Sequence, residues 1–182
     1  MNRITAYIRQ SLQDIYPPEE VKALSMLICC DMLGVDALDI YMGKDIILSE
    51  CKRRELENII FRLQKNEPIQ YIRGYAEFCG RNFRVAPGVL IPRPETAELV
   101  DLIVKENPDA RRLLDIGTGS GCIAISLDKN LPDAKVDAWD ISEEALAIAR
   151  KNNEELDAQV TFRRQDVFSA DGIQGTSYDI IV

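Results

Sequence analysis

The sequence predicts an α/β protein: a small N-terminal helical bundle, a β-hairpin joint, and part of a parallel sheet with helices on its faces. Three observations carry that prediction. Apolar residues in the first 65 or so positions recur only at helical spacing. Residues 77–85 hold two short strand-like runs around a glycine. From residue 111 onward, short β-rich runs alternate with helical ones, the pattern of a parallel sheet. The boundaries that follow are a helical domain over 1–74, a hairpin linker over 75–88, and an α/β domain over 89–182.

Taken in order, Ile4, Ile8, Leu12 and Ile15 mark one face of a first helix. Pro17-Pro18-Glu19-Glu20 opens a second, because proline suits a first helical turn and acids favour its positive end. Val21, Leu24, Leu27 and Ile28 form its inward stripe, and it ends before Gly34. A short piece from Asp36 to Met42 follows. Ser49 then supplies a hydroxyl N-cap for a helix through Leu56, Ile60 and Leu63. Four short helices with brief connections make a small bundle that packs or recognises rather than catalyses.

From Glu67 the punctuation changes. Pro68 and Gly74 interrupt the chain, and Glu77 to Val85 reads as two strands around a Gly80-Arg81-Asn82 turn. Leu90-Ile91-Pro92-Arg93-Pro94-Glu95-Thr96 is stiffened by its prolines and leads into a helix through Leu99, Val100, Ile103 and Val104. Beyond it come strands at 113–116, 136–140, 160–164 and 178–182. Helices are expected over 121–129 and 143–155.

Composition sets the limits. The chain has 182 residues, 46% of them apolar and 29% charged, which is ordinary for a folded soluble domain. The most apolar stretch, Ala23 to Cys30, is far shorter than the ~20 residues that cross a bilayer. Met1 to Thr5 lacks the apolar core of a secretory signal, so the cytoplasm is the expected compartment. Five cysteines at irregular spacing are not a disulfide framework, and with no histidine the ligands for a zinc site are poor. No metal is expected. The net charge of −8 is uneven: −1 over residues 1–74 and −7 over 75–182. An acidic second half disfavours a phosphate backbone as partner.

The sharpest motif is Asp115-Ile116-Gly117-Thr118-Gly119-Ser120-Gly121, placed where a strand turns into a helix. Three alternate glycines let the backbone turn tightly and let a ligand lie against bare N–H groups. The helix start behind them suits an anionic group. A dinucleotide fingerprint needs glycine at position 122, which is Cys122, and a phosphate-loop lysine is absent. The next strand ends in Trp139-Asp140, and Asp140 is placed to accept from the hydroxyls of a ribose. Asp166, followed by Val167 and Phe168, ends the strand after that and is a candidate for the adenine. Together these residues point to an adenosine ligand without pyrophosphate. Each also has a plainer role: a strand-to-helix turn, a helix cap, a solvated strand end.

Leu113 to Asp140 resembles the S-adenosylmethionine-binding motifs of class I methyltransferases, whose domain is Rossmann-like. With Glu67-Pro68-Ile69-Gln70-Tyr71-Ile72-Arg73-Gly74, Glu77-Phe78, Phe83 and Leu90 to Thr96, the chain is similar to the HemK/PrmC family. That family methylates the glutamine side-chain amide in the Gly-Gly-Gln motif of peptide chain release factors. The resemblance implies S-adenosylmethionine as cofactor and an N-terminal domain that docks the release factor. It implies that Gly117, Thr118, Gly119, Ser120 and Gly121 hold the methionine end, Asp140 the ribose, and Asp166 with Val167 the adenine. Asp115 orients the loop and meets the ammonium group, and Pro94, Glu95 and Thr96 close over the cofactor.

In the family, the strand matching Tyr178 to Val182 runs into an Asn-Pro-Pro-Tyr tetrapeptide that holds the acceptor amide; this sequence ends at Val182. It is therefore expected to be C-terminally truncated, with no catalytic residue of its own and no transfer activity. Two alternatives stand beside this expectation: an adenine-directed nucleic-acid methyltransferase, and a non-catalytic module that binds cofactor or release factor.

Overall fold

The computed structural model describes residues 3–169 and 177–182, and it divides into two units, Met1–Arg73 and Gly74–Val182.

In the first unit, α1 (Arg3–Leu12) buries Ile4, Ile8 and Leu12, one residue per turn. Ile15 lies past the helix end and is exposed, so the stripe is one residue shorter than its spacing predicts. Helix α2 (Pro18–Leu27) begins at a proline with Glu19 and Glu20 in its first turn, as the sequence requires. It continues as a π-helical turn, Ile28–Met32, up to Gly34, which takes a left-handed φ of 64°. At 100° per residue Val21, Leu24 and Ile28 share one face and are buried, while Leu27 lies off that face and is only half-buried. The Lys52 ammonium donates to the Leu33 carbonyl, satisfying one of the carbonyls freed where the π turn stops.

Helix α3 (Ala37–Tyr41) is capped by Asp36, which accepts from the Leu38 N–H at 2.8 Å. Helix α4 (Glu50–Leu63) is capped by Ser49 through the Lys52 N–H. A fifth helix, α5 (Ile69–Arg73), lies where the sequence shows only punctuation; Pro68 accepts its first hydrogen bonds instead of breaking it. The core is aliphatic: Ile8, Leu12, Ile28, Leu33 and Leu63 are almost wholly buried. Fully burying side chains of this size stabilises by roughly 1.5–3 kcal/mol each.

The second unit opens with β1 (Tyr75–Phe78) and β2 (Arg81–Arg84), paired antiparallel from Tyr75↔Arg84 to Phe78↔Arg81. The turn is Cys79-Gly80, with φ of 47° and 69°, so Arg81 and Asn82 belong to the strand and not to the turn. A two-residue turn with both φ positive matches the twist of its strands, and here that outweighs the turn preference of asparagine. Phe78 and Phe83 meet edge to face at 5.9 Å and enter the core of the second unit. Helix α6 (Pro94–Glu106) starts at Pro94 and buries Val100 and Ile103.

The rest alternates: β3 (Arg112–Ile116), α7 (Cys122–Asn130), β4 (Lys135–Asp140), α8 (Glu143–Glu155), β5 (Thr161–Arg164) and β6 (Ile180–Ile181). The four strands are parallel in the order β5-β4-β3-β6. Helix α7 begins one residue later than its apolar pattern predicts, because Gly121 has a φ of 80° and is not helical. β6 is shorter than the predicted 178–182, although the Asp179 and Val182 N–H groups also bond to β3. Among the described residues β6 is an edge, and Ile181 is exposed. Ile116 pairs with Trp139 and Asp140 with Arg164, so the carboxyl ends of β3, β4 and β5 share one edge. In open parallel sheets that edge, beside a reversal of strand order, is where ligands bind.

Candidate cofactor-binding site

The turn after β3 is pinned from β4. The Trp139 carbonyl accepts from the N–H of Gly117 at 2.8 Å and of Thr118 at 3.0 Å. One Asp140 carboxylate oxygen accepts from the Gly119 N–H at 2.9 Å, and the other accepts from the Ser142 N–H at 2.9 Å. The Gly121 N–H closes the turn on the Thr118 carbonyl at 2.8 Å. Asp140 therefore ties the glycine turn to the start of α8, where the Ser142 hydroxyl caps the Ala145 N–H. Its capping role and its place against the turn coexist, since each carboxylate oxygen keeps a further lone pair.

Asp115 lies beneath the turn, 2% exposed, and accepts from the Thr118 hydroxyl at 2.7 Å. Burial pushes its carboxyl up to about 6; the Thr118 hydroxyl and the Ala124 N–H oppose the rise, and the charge of Asp140 adds to it. Ser120 is buried and its hydroxyl has no well-formed hydrogen bond. The Cys122 thiol is driven up to about 11 by burial, which leaves it a small apolar filler and not a nucleophile.

The three glycines differ. All have positive φ: 78° at Gly117, 55° at Gly119 and 80° at Gly121. A Cβ on Gly117 meets nothing within 4 Å among the described residues, and one on Gly119 meets only the Gly117 carbonyl at 3.9 Å. Bare backbone there faces open space. At Gly121 a Cβ lies 3.1 Å from Ile125 Cδ1, 3.2 Å from Ala149 Cβ and 3.4 Å from Phe162 Cζ. Gly121 is held by packing of the turn onto α8 and β5.

Asp166 lies two residues past Arg164, the partner of Asp140, and the Gln165 N–H donates to the Asp140 carbonyl at 3.0 Å. Its carboxylate is exposed and accepts from the Phe168 N–H at 2.9 Å; Val167 and Phe168 are exposed beside it. Asp115, the glycine turn and Asp140 thus form one bonded cluster, with Asp166 and Val167 on the same edge through the backbone. Pro94, Glu95 and Thr96 form the first turn of α6, Pro94 and Glu95 exposed, and among the described residues no hydrogen bond links them to the turn.

Asn152, on α8, completes the cluster and is absent from the sequence-based site. It is 1% exposed and donates to the Ser120 carbonyl at 2.8 Å. Its signal was present: it stands in the inward stripe Ala145, Leu146, Ala149, Asn152, where a polar side chain needs a partner.

A glycine turn with open backbone, a buried carboxyl beneath it and an acid at the end of the next strand of a parallel sheet define a Rossmann-like methyltransferase domain. Residues 95–182 match the family described as Methyltransferase small domain, and residues 4–74 match the PrmC N-terminal domain. The chain is 99% identical over 182 residues to the release factor glutamine methyltransferase of Bacteroides thetaiotaomicron, covering all of this chain and 66% of that protein. It is 39% identical over 178 residues to the Flavobacterium psychrophilum protein of that name, covering 95% of this chain and 62% of that one. It thus spans just under two thirds of the length of these relatives. A Pyrococcus abyssi tRNA (uracil-54, C5)-methyltransferase structure aligns at 21% identity and a TM-score of 0.48, covering 59% of this chain and 26% of that one. Over its whole length the chain is similar to proteins named release factor glutamine methyltransferase, and its two matched segments are the PrmC N-terminal and Methyltransferase small domains.

Proposed function

We propose that this chain binds S-adenosylmethionine and serves methylation of the glutamine side-chain amide in the Gly-Gly-Gln motif of peptide chain release factors, in the cytoplasm. The observation that carries the proposal is the open backbone of Gly117 and Gly119, held by Asp140 and Trp139 at the ligand-binding edge of the sheet. When bound, the cofactor supplies a methyl group already activated as a sulfonium, so the protein contributes alignment and electrostatics.

The residues fit that task. Gly117 to Gly121 offer N–H groups and room for the methionine end. Asp140, already oriented by two N–H donors, presents its remaining lone pairs to the ribose hydroxyls. Asp166 and Val167 border the adenine. Asp115, uncharged below about pH 6, ionises to face the ammonium group. The helical unit docks the release factor, and Pro94 to Thr96 cover the cofactor. The partner is a protein rather than nucleic acid: the α/β half carries most of the negative charge, which disfavours a phosphate backbone. Among the described residues no helix is long and apolar enough to cross a membrane.

Titration calorimetry with S-adenosylhomocysteine tests the proposal. Asp140→Ala should weaken binding by ~1.5–3 kcal/mol, the range for hydrogen bonds to a charged group. Unchanged affinity would leave Asp140 a cap alone. Protection against thermal unfolding by NAD comparable to that by S-adenosylhomocysteine would reject an adenosine site without pyrophosphate.

A further inference from the structure

Asn152 makes three hydrogen bonds with one carboxamide. Its Oδ1 accepts from the Arg84 N–H at 2.7 Å, and its Nδ2 donates to the Arg84 carbonyl at 3.1 Å and to the Ser120 carbonyl at 2.8 Å. Two carbonyls on one side and an N–H on the other fix which end is oxygen. Arg84 is the last residue of β2, and here the side chain satisfies both its backbone groups as a neighbouring strand would. The same amide holds the Ser120 peptide, between Gly119 (bonded to Asp140) and Gly121 (packed on Ala149).

We infer that Asn152 is a positioning residue that couples the β1–β2 hairpin to the cofactor-binding turn, so that affinity for the adenosine cofactor depends on this buried amide. The inference rests on the cofactor reading above. Three of the ties that hold the turn come from β4: two on the Trp139 carbonyl and one on Asp140. Asn152 is the tie from α8, and it fixes the orientation of the Ser120–Gly121 peptide. It also anchors the point where the chain leaves β2 toward Leu90–Thr96. A hydrophobic residue at this place in the stripe would leave three backbone groups without partners. An aspartate would set a carboxylate against two carbonyl oxygens. Only a group that both donates and accepts serves the site.

The experiment uses the longer Bacteroides relative, with S-adenosylhomocysteine as probe, titrated at a temperature where circular dichroism shows each variant folded. Asn152→Ala is expected to weaken binding roughly tenfold or more, the scale of a lost buried hydrogen bond. Asn152→Asp is expected to bind weakly at pH 8 and to recover toward the parent as the pH falls to 5.5, because a protonated carboxyl again donates and accepts. The titratable groups nearby are the Arg84–Glu155 ion pair and Asp115. The parent shares them, so the variant-to-parent ratio removes their contribution. A lower melting temperature with unchanged affinity in Asn152→Ala would overturn the inference. So would a pH-independent ratio in Asn152→Asp, which also decides the matter where the alanine variant does not fold. Failure of the parent itself to bind would overturn the cofactor reading instead.

Discussion

The two units bury different things. The helical unit buries aliphatic side chains and, among its described residues, a single buried polar one, Ser25, whose hydroxyl turns back onto the Val21 carbonyl. The α/β unit buries Asp115, Thr118, Ser120, Ser126 and Asn152. Four of these five sit in or against one turn. Burying a polar group costs free energy unless it is paired, so a cluster of them marks where a fold accepts a cost for something other than stability. In the bundle, each change should be felt as packing. In the α/β unit, stability and binding should come apart.

The largest expected effect tests the packing side. Ile8→Ala should cost roughly 2–5 kcal/mol, the range for a fully buried aliphatic residue cut to alanine. Trp139, the one tryptophan, lies in the α/β unit, so its fluorescence reports that unit while far-ultraviolet circular dichroism reports both. Urea unfolding followed by the two signals should show the loss in dichroism with the Trp139 transition in place. Equal shifts in both would break the contrast.

A smaller effect separates stability from binding within the α/β unit. Gly121→Ala should lose about 2–3 kcal/mol, from a strained φ and a Cβ pressed on Ala149 and Ile125. Gly117→Ala meets open space, so its loss should be about 1 kcal/mol from backbone strain alone. The order should reverse for S-adenosylhomocysteine affinity relative to stability, Gly117→Ala losing more binding per unit of stability lost. The same ratio for both would mean that Gly117 and Gly121 act alike.

The smallest effect is a pH dependence confined to the α/β unit. Asp115 has its carboxyl raised from 3.8 to about 6, so the folded state holds its proton more tightly than the unfolded chain does. Its contribution to stability is full below the unfolded value and is lost as the pH rises through about 6. Lowering the pH from about 7.5 to about 5.5 should stabilise the unit by about 1 kcal/mol through this group. Asp115→Ala should abolish that gain in Trp139-detected unfolding. Persistence of the gain would assign it to another group.

The helical stripes of α1, α2 and α4, the cap at Ser49, the alternation of strands and helices, and the glycine turn followed by Asp140 were all legible in the sequence. These are local features, fixed by periodicity over a few residues, by proline and hydroxyl chemistry at helix ends, and by the positive φ that only glycine adopts at low cost. The remaining features depend on contacts distant in sequence. The amide of Asn152 reaches Ser120, 32 residues away, and Arg84, 68 residues away. The Trp139 carbonyl holds the turn through a backbone atom that no side-chain pattern reveals. Gly121 is tight where Gly117 is open because Ala149 and Phe162 arrive from α8 and β5. Asp115 holds its proton to about pH 6 because the assembled sheet and turn exclude water from it, and solvent exclusion is a property of the fold and not of any residue's neighbours in sequence.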